Sequence, residues 1–268
     1  MESAAGVRRG GNLTYTYNEA FDMRTLLLFP LLTLFGCATA RGPDIAPSPW
    51  QPTVIVEPGT DPARVRTVVE SYANTWRVLA KSTSAAPSPY TVRIYRSREP
   101  FLQDLKTVGG FDDRSVAYFA RSGAPRPLRG QLYVPPDMLV ENVCHELTHG
   151  FFEALSGQAY RQAKWLDEGF ASYVAFRYCT NTLEPPAFEP PTLRLGEVTL
   201  ERQWSARPDK HHIYGQSARL VTLMVERWGE ERLLDLIRAL GQHGLEGALK
   251  QVLEVGVEEL EAMLEPGD

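Results

Sequence analysis

Apolar residues recur on a helical period after Asp61. Val65, Val68, Val69, Tyr72, Trp76 and Leu79 make one stripe, the signature of a helix with a single buried face. Asp61-Pro62 supplies an N-cap followed by proline at the first helical position, so the helix starts there and is expected to lie on a sheet. Short β-branched or aromatic runs at Pro52 to Val56, Tyr90 to Tyr95, Ser115 to Phe119 and Gln131 to Val134 predict strands, with a short helix at Glu99 to Leu105. Ser115 to Phe119 is read as an ordinary sheet strand, the alternative being an edge to which a substrate backbone pairs. From Pro136 onward the pattern is helical, near Asp137–Ser156, Lys164–Tyr178, His211–Trp228 and Glu230–Leu240, with shorter helices after Gly244. Thr180 to Lys210 interrupts this run with Pro185-Pro186 and Pro190-Pro191. A loop that long either rims a cleft or wraps the surface. The fold class is α+β: an N-terminal mixed sheet with helices, then a mainly helical half.

The first residues follow another pattern. Met23-Arg24 precedes an apolar run from Thr25 to Phe35, then Gly36 and Cys37. The run is too short to span a bilayer, which takes about 20 residues, and has the form of a secretory signal. Residues 1–22 are then expected to be a non-native extension, with translation beginning at Met23. Leu34-Phe35-Gly36-Cys37 resembles the bacterial lipobox, which implies a signal over 23–36, a lipid on Cys37 and a chain held at the cell envelope, facing the periplasm or exterior. An ordinary cleaved signal ending near Ala38 to Ala40 is the alternative. Residues 37–49 are rich in proline and small side chains, as suits a tether, and the folded domain is assigned to 50–268.

Composition narrows little: 43% hydrophobic and 23% charged residues describe an ordinary globular chain. A net charge of -5 excludes the basic footprint of a nucleic-acid binder. Two cysteines remain in the domain, Cys144 and Cys179. An exported compartment permits their pairing, but two buried free thiols are the expectation.

Chemistry concentrates in Cys144-His145-Glu146-Leu147-Thr148-His149, an HExxH sequence. Histidines four apart on a helix project about 40° apart, so both imidazoles reach one ion. Val140, Val143, Cys144, Leu147 and Phe151 form an apolar stripe roughly opposite them. A catalytic zinc takes three protein ligands and keeps a fourth position open, and Glu168 is the candidate third ligand. It stands nineteen positions after His149, within Trp165-Leu166-Asp167-Glu168-Gly169-Phe170-Ala171.

The HExxH and WLxEGxA blocks at this separation resemble the gluzincin clan of metallopeptidases, specifically the aminopeptidase N type, and Tyr214-Gly215-Gln216-Ser217 resembles the later helix of peptidase-MA-like gluzincins. The resemblance covers about Gln131 to Trp228. It implies a zincin-like domain acting on a peptide or protein substrate, with one Zn2+ per chain on His145, His149 and Glu168 and with Glu146 as the general base. No GxMEN-type segment is present, so the exopeptidase activity of that type is not implied. Ser172 stands where thermolysin-type enzymes carry an aspartate, so other groups are expected to orient the histidines. The oxyanion donor is assigned to Tyr214, with His211 and His212 as alternatives. Asp167 is expected to be solvated, Tyr173 packed and His243 on the surface. In another class, the rival is a lipid-anchored envelope interaction protein with a structural or vestigial zinc site.

Overall fold

The computed structural model describes residues 7–9, 12–15, 52–85, 90–106, 118–120, 131–138, 140–179, 194–200, 203–204 and 210–264. Residues 23–49, the expected signal and tether, lie outside them. The architecture is α+β, with a six-stranded mixed sheet that has two helices between its strands, followed by a mainly helical half.

Strands β1 (Val7–Arg9) and β2 (Asn12–Tyr15) form an antiparallel hairpin whose second strand pairs with β3 (Thr53–Val56). From β3 the sheet continues in parallel through β4 (Thr91–Ile94) to β6 (Gln131–Val134), and β5 (Tyr118–Ala120) closes the edge antiparallel to β6. Register aligns Val54 with Val92 and Val92 with Leu132, then Val56 with Ile94 and Ile94 with Val134. Because side chains alternate along a strand, these six share one face, and all are buried in the main core with α1 (Pro62–Thr83) and α3 (Val140–Ser156). On the opposite face Tyr133 packs with Tyr95, Phe101 and Leu105 of a separate cluster that includes α2 (Arg98–Lys106). Strand β6 is therefore covered on both sides, which is why all four of its residues are buried.

The α1 stripe falls where the sequence puts it. Asp61 caps the helix through its side chain, which accepts the Ala63 N–H at 2.9 Å. Val68, Val69, Tyr72, Trp76 and Leu79 are buried, and Val65 packs at the margin. Trp76 stacks on Tyr72 at 5.8 Å between centroids and meets Phe151 edge-on at 5.0 Å, so α1 supports the end of α3. Val143, Cys144, Leu147 and Phe151 are fully buried, as expected of the stripe, while the Val140 side chain lies outside the described part.

Two boundaries differ from expectation for identifiable reasons. The turn at 136–138, closed by the Met138 N–H on the Pro135 carbonyl at 3.3 Å, delays α3 to Val140. Helix α4 (Lys164–Val174) ends short of Tyr178 and widens into a π-turn at Ala175–Cys179. That turn brings Cys179 to Cys144, with which it forms a disulfide at a Cα separation of 6.6 Å. The two free thiols expected from the sequence are thus corrected. Thr75 and Ser71 of α1 set their hydroxyls 2.9 and 3.5 Å from the Cys144 sulfur, so α1, α3 and the π-turn meet at one cross-link.

Helix α5 (Lys210–Trp228) buries Ile213, Ser217, Leu220, Val221 and Met224. Helix α6 (Glu230–Ala248) is interrupted at Gly244, whose φ of 66° suits glycine, and α7 (Val257–Ala262) follows. Among the described residues no helix is long and apolar enough to cross a membrane.

Candidate metal centre

Helix α3 presents His145 and His149 with ring centroids 4.8 Å apart and nearly perpendicular planes. The chain then reverses through a 3-10 turn, Gly157–Gln162, and re-enters as α4, which carries Glu168 across the histidines. Oε2 of Glu168 lies 3.1 Å from His145 Nε2 and 3.4 Å from His149 Nε2, and the three donor atoms all fall within 4.8 Å of one another. A tetrahedral ion with bonds of about 2.0–2.2 Å holds its donors about 3.3–3.6 Å apart. Two imidazoles and a carboxylate at these separations fit zinc, and fit poorly the all-oxygen shells of calcium or magnesium.

The histidines are oriented from behind. His149 Nδ1 donates to Asp167 Oδ1 at 2.8 Å, since an ionised carboxylate only accepts, and this turns Nε2 toward Glu168, 3.4 Å from Oε2. Ser172 Oγ lies 3.4 Å from His145 Nδ1. The expectation for Asp167 is thereby corrected: it is fully buried beside His149 rather than solvated. Lys164, Glu168 and Ser172 share one side of α4 with Asp167 close by, a pattern that reads as a solvated face, so the burial of Asp167 comes from what packs over it.

Lys164 is the other residue the sequence did not single out. It is buried, with Nζ 2.6 Å from Glu168 Oε1 and 3.9 Å from Asp167 Oδ2, and its backbone N–H donates to the Thr199 carbonyl at 2.8 Å. Burial by itself would raise the Glu168 carboxyl, but the Lys164 ammonium and the two histidines hold it well below the usual carboxylate range.

Helix α5 comes against α4 at Gly169. A Cβ there would lie 2.5 Å from the Ser217 carbonyl oxygen and 2.7 Å from Val221 Cγ2, so only glycine admits this approach. One turn before Ser217, Tyr214 reaches the site with its ring centroid 6.1 Å from His145 and 5.1 Å from Trp204. Burial raises the Tyr214 hydroxyl above its ordinary range, and the charges of Glu168 and Glu146 add to the effect. The Lys164 charge and the Trp204 side chain, edge-on to the Tyr214 ring, act in the opposite direction without cancelling the rise, so the phenol stays protonated. Trp204 belongs to the long interruption before α5, which therefore contributes to the site.

Glu146 is half-exposed on α3 beside His145. His212 and His243 are exposed, Tyr173 is half-buried against the core, and the His211 side chain lies outside the described part. Cys37 and residues 115–117 also lie outside the described residues; Tyr118–Ala120 does occupy a sheet edge.

No family model matches the chain, and no curated protein matches it. Among solved structures it is similar to a crystal structure of a mutant M1 zinc metallopeptidase from Deinococcus radiodurans, at 15% identity and a TM-score of 0.48, over 81% of this chain and 48% of that one. The chain spans about half the length of that structure. A likeness at this level carries no weight for function, which has to come from the side chains.

Proposed function

We propose that this chain is a zinc-dependent metallopeptidase of the gluzincin kind, holding one zinc on His145, His149 and Glu168 and using Glu146 as general base. One observation carries the reading: Glu168 Oε2 stands 3.1 and 3.4 Å from the two imidazole nitrogens, with the half-exposed Glu146 on the same helix turn. Zinc, when bound there, supplies Lewis acidity toward water and a peptide carbonyl. The Glu146 carboxylate takes the proton of the attacking water and returns it to the leaving amine. Tyr214 donates a hydrogen bond to the oxyanion, a role that suits a hydroxyl kept protonated by its surroundings. Asp167 and Ser172 hold the histidines in register, and Gly169 admits the helix that brings Tyr214. A structural zinc is usually closed by four protein ligands, whereas three donors gather here among the described residues. The sequence alone supports the further reading that Cys37 carries a lipid and anchors the enzyme in the envelope.

The test uses the purified chain, a diverse peptide library read by mass spectrometry, and a chelator control. One zinc per chain and chelator-sensitive cleavage are expected. Glu146→Gln should keep the metal and lose most cleavage, because an amide cannot take the proton. A wild type that binds zinc stoichiometrically yet cuts nothing would favour a structural site in an envelope interaction protein instead.

A further inference from the structure

The two oxygens of Glu168 are not equivalent. Oε2 faces both imidazoles, at 3.1 and 3.4 Å. Oε1 is taken at 2.6 Å by the Lys164 ammonium, which lies one helical turn earlier. Lys164 is not a surface side chain that happens to reach inward: its side chain is 9% exposed, against 5% for Glu168. Its main chain is fixed by the bond to the Thr199 carbonyl, and Asp167 Oδ2 at 3.9 Å gives the ammonium a second carboxylate. Its charge therefore sits on the oxygen of Glu168 that the histidines do not take.

That placement bears on how the carboxylate can ligate. A carboxylate free at both oxygens can chelate an ion and fill two positions, as glutamate does for calcium. A zinc site that performs hydrolysis needs its remaining position for water. We propose that Lys164 is a positioning residue that occupies Oε1 of Glu168 and so makes this glutamate a single-oxygen ligand, keeping a coordination position open. The inference rests on the zinc-site reading above and adds to it the mode of ligation and the residue that sets it. It also gives the buried Asp167 and Glu168 a shared counter-charge, which isolated carboxylates at 0% and 4% exposure require. A helix residue four positions before a ligand reaches the same face, so the arrangement is local to α4.

The experiment loads the full chain with zinc for a crystal structure and with cobalt(II) for visible absorption. Wild type, Lys164→Met and Lys164→Arg are compared, with far-ultraviolet circular dichroism confirming the fold. Zinc-loaded wild type is expected to show Glu168 bound through Oε2 alone, with Lys164 still on Oε1. Lys164→Met frees that oxygen, so the intensity of the d–d bands per cobalt should fall as the coordination number rises. Lys164→Arg retains a donor and should keep the wild-type spectrum. Bidentate Glu168 in zinc-loaded wild type overturns the inference whether or not the methionine variant folds. So does a folded Lys164→Met protein with an unchanged cobalt spectrum. If wild type binds neither metal stoichiometrically, the zinc-site reading itself falls and takes this inference with it, an outcome distinct from the other two.

Discussion

Replacing Cys144 and Cys179 together by alanine should cost the protein about 4 kcal/mol. The bridge joins the residue before His145 to the π-turn after α4, across a sequence separation of 35. In the chain-entropy account, closing a loop of that size removes about 13 cal/mol/K from the unfolded chain, hence about 4 kcal/mol at 25 °C. Neighbouring groups add little of the opposite sign. Thr75 Oγ1 also lies 2.8 Å from the Ser71 carbonyl, so losing the sulfur leaves its hydroxyl bonded, and the lost packing of two sulfurs acts in the same direction. At about 2–4 °C per kcal/mol for a chain of this size, Tm should fall by about 8–16 °C. The comparison is thermal unfolding by circular dichroism in chelator, so that metal linkage does not contribute, with thiol titration of denatured wild type confirming the bridge. A fall of less than about 4 °C, equivalent to roughly 1 kcal/mol, with the bridge confirmed, would refute the loop-closure reasoning.

Removing the partner of His149 by Asp167→Ala should weaken zinc binding about 10–100-fold, measured by chelator competition; unchanged affinity would show that Asp167 does not orient the ligand. Gly169→Ala should destabilise by about 1–3 kcal/mol or more, read in urea, because the atom it meets at 2.5 Å is a backbone oxygen that cannot rotate away. If stability is retained, α4 and α5 are not held at the separation described. Alkaline pH should destabilise the fold through tyrosines. Burial raises Tyr72, and burial with Asp104 raises Tyr95, above the ordinary value of 10.0. The folded state then holds these protons more tightly than the unfolded chain, so their contribution is fully present below a pH of about 10 and is lost as pH rises above it. A urea midpoint that stays constant from pH about 8 to 11 would contradict this sign.

The elements most legible in the sequence are those whose signal is periodic and local. The α1 stripe with its Asp61-Pro62 start and the strand at Gln131–Val134 lie where the residues predict them. Each is decided within a few residues by side-chain period or a cap. The juxtaposition of His145 and His149 was legible for the same reason, since HExxH sets two imidazoles on one side of a helix, while Glu168 was picked out by the resemblance of the WLxEGxA block. Assembly of the three is tertiary, because Oε2 reaches both nitrogens only once α4 crosses α3.

What only the tertiary structure decided was partnership between polar groups. Asp167 and Glu168 are adjacent in sequence and about 100° apart around a helix, so a one-face reading puts one inside and the other in water. Helix α4 is enclosed on all sides, and both carboxylates are buried, one behind His149 and one before it. Lys164 looks like an ordinary charge at a helix start until burial forces it to find Glu168. Cys144 and Cys179 acquire a bond because a π-turn, which no local propensity announces, rotates Cys179 toward α3. Local sequence specifies which side chains a helix face offers. Whether a polar side chain meets water, a partner or an ion depends on what packs over that face, and the packing here comes from residues far along the chain.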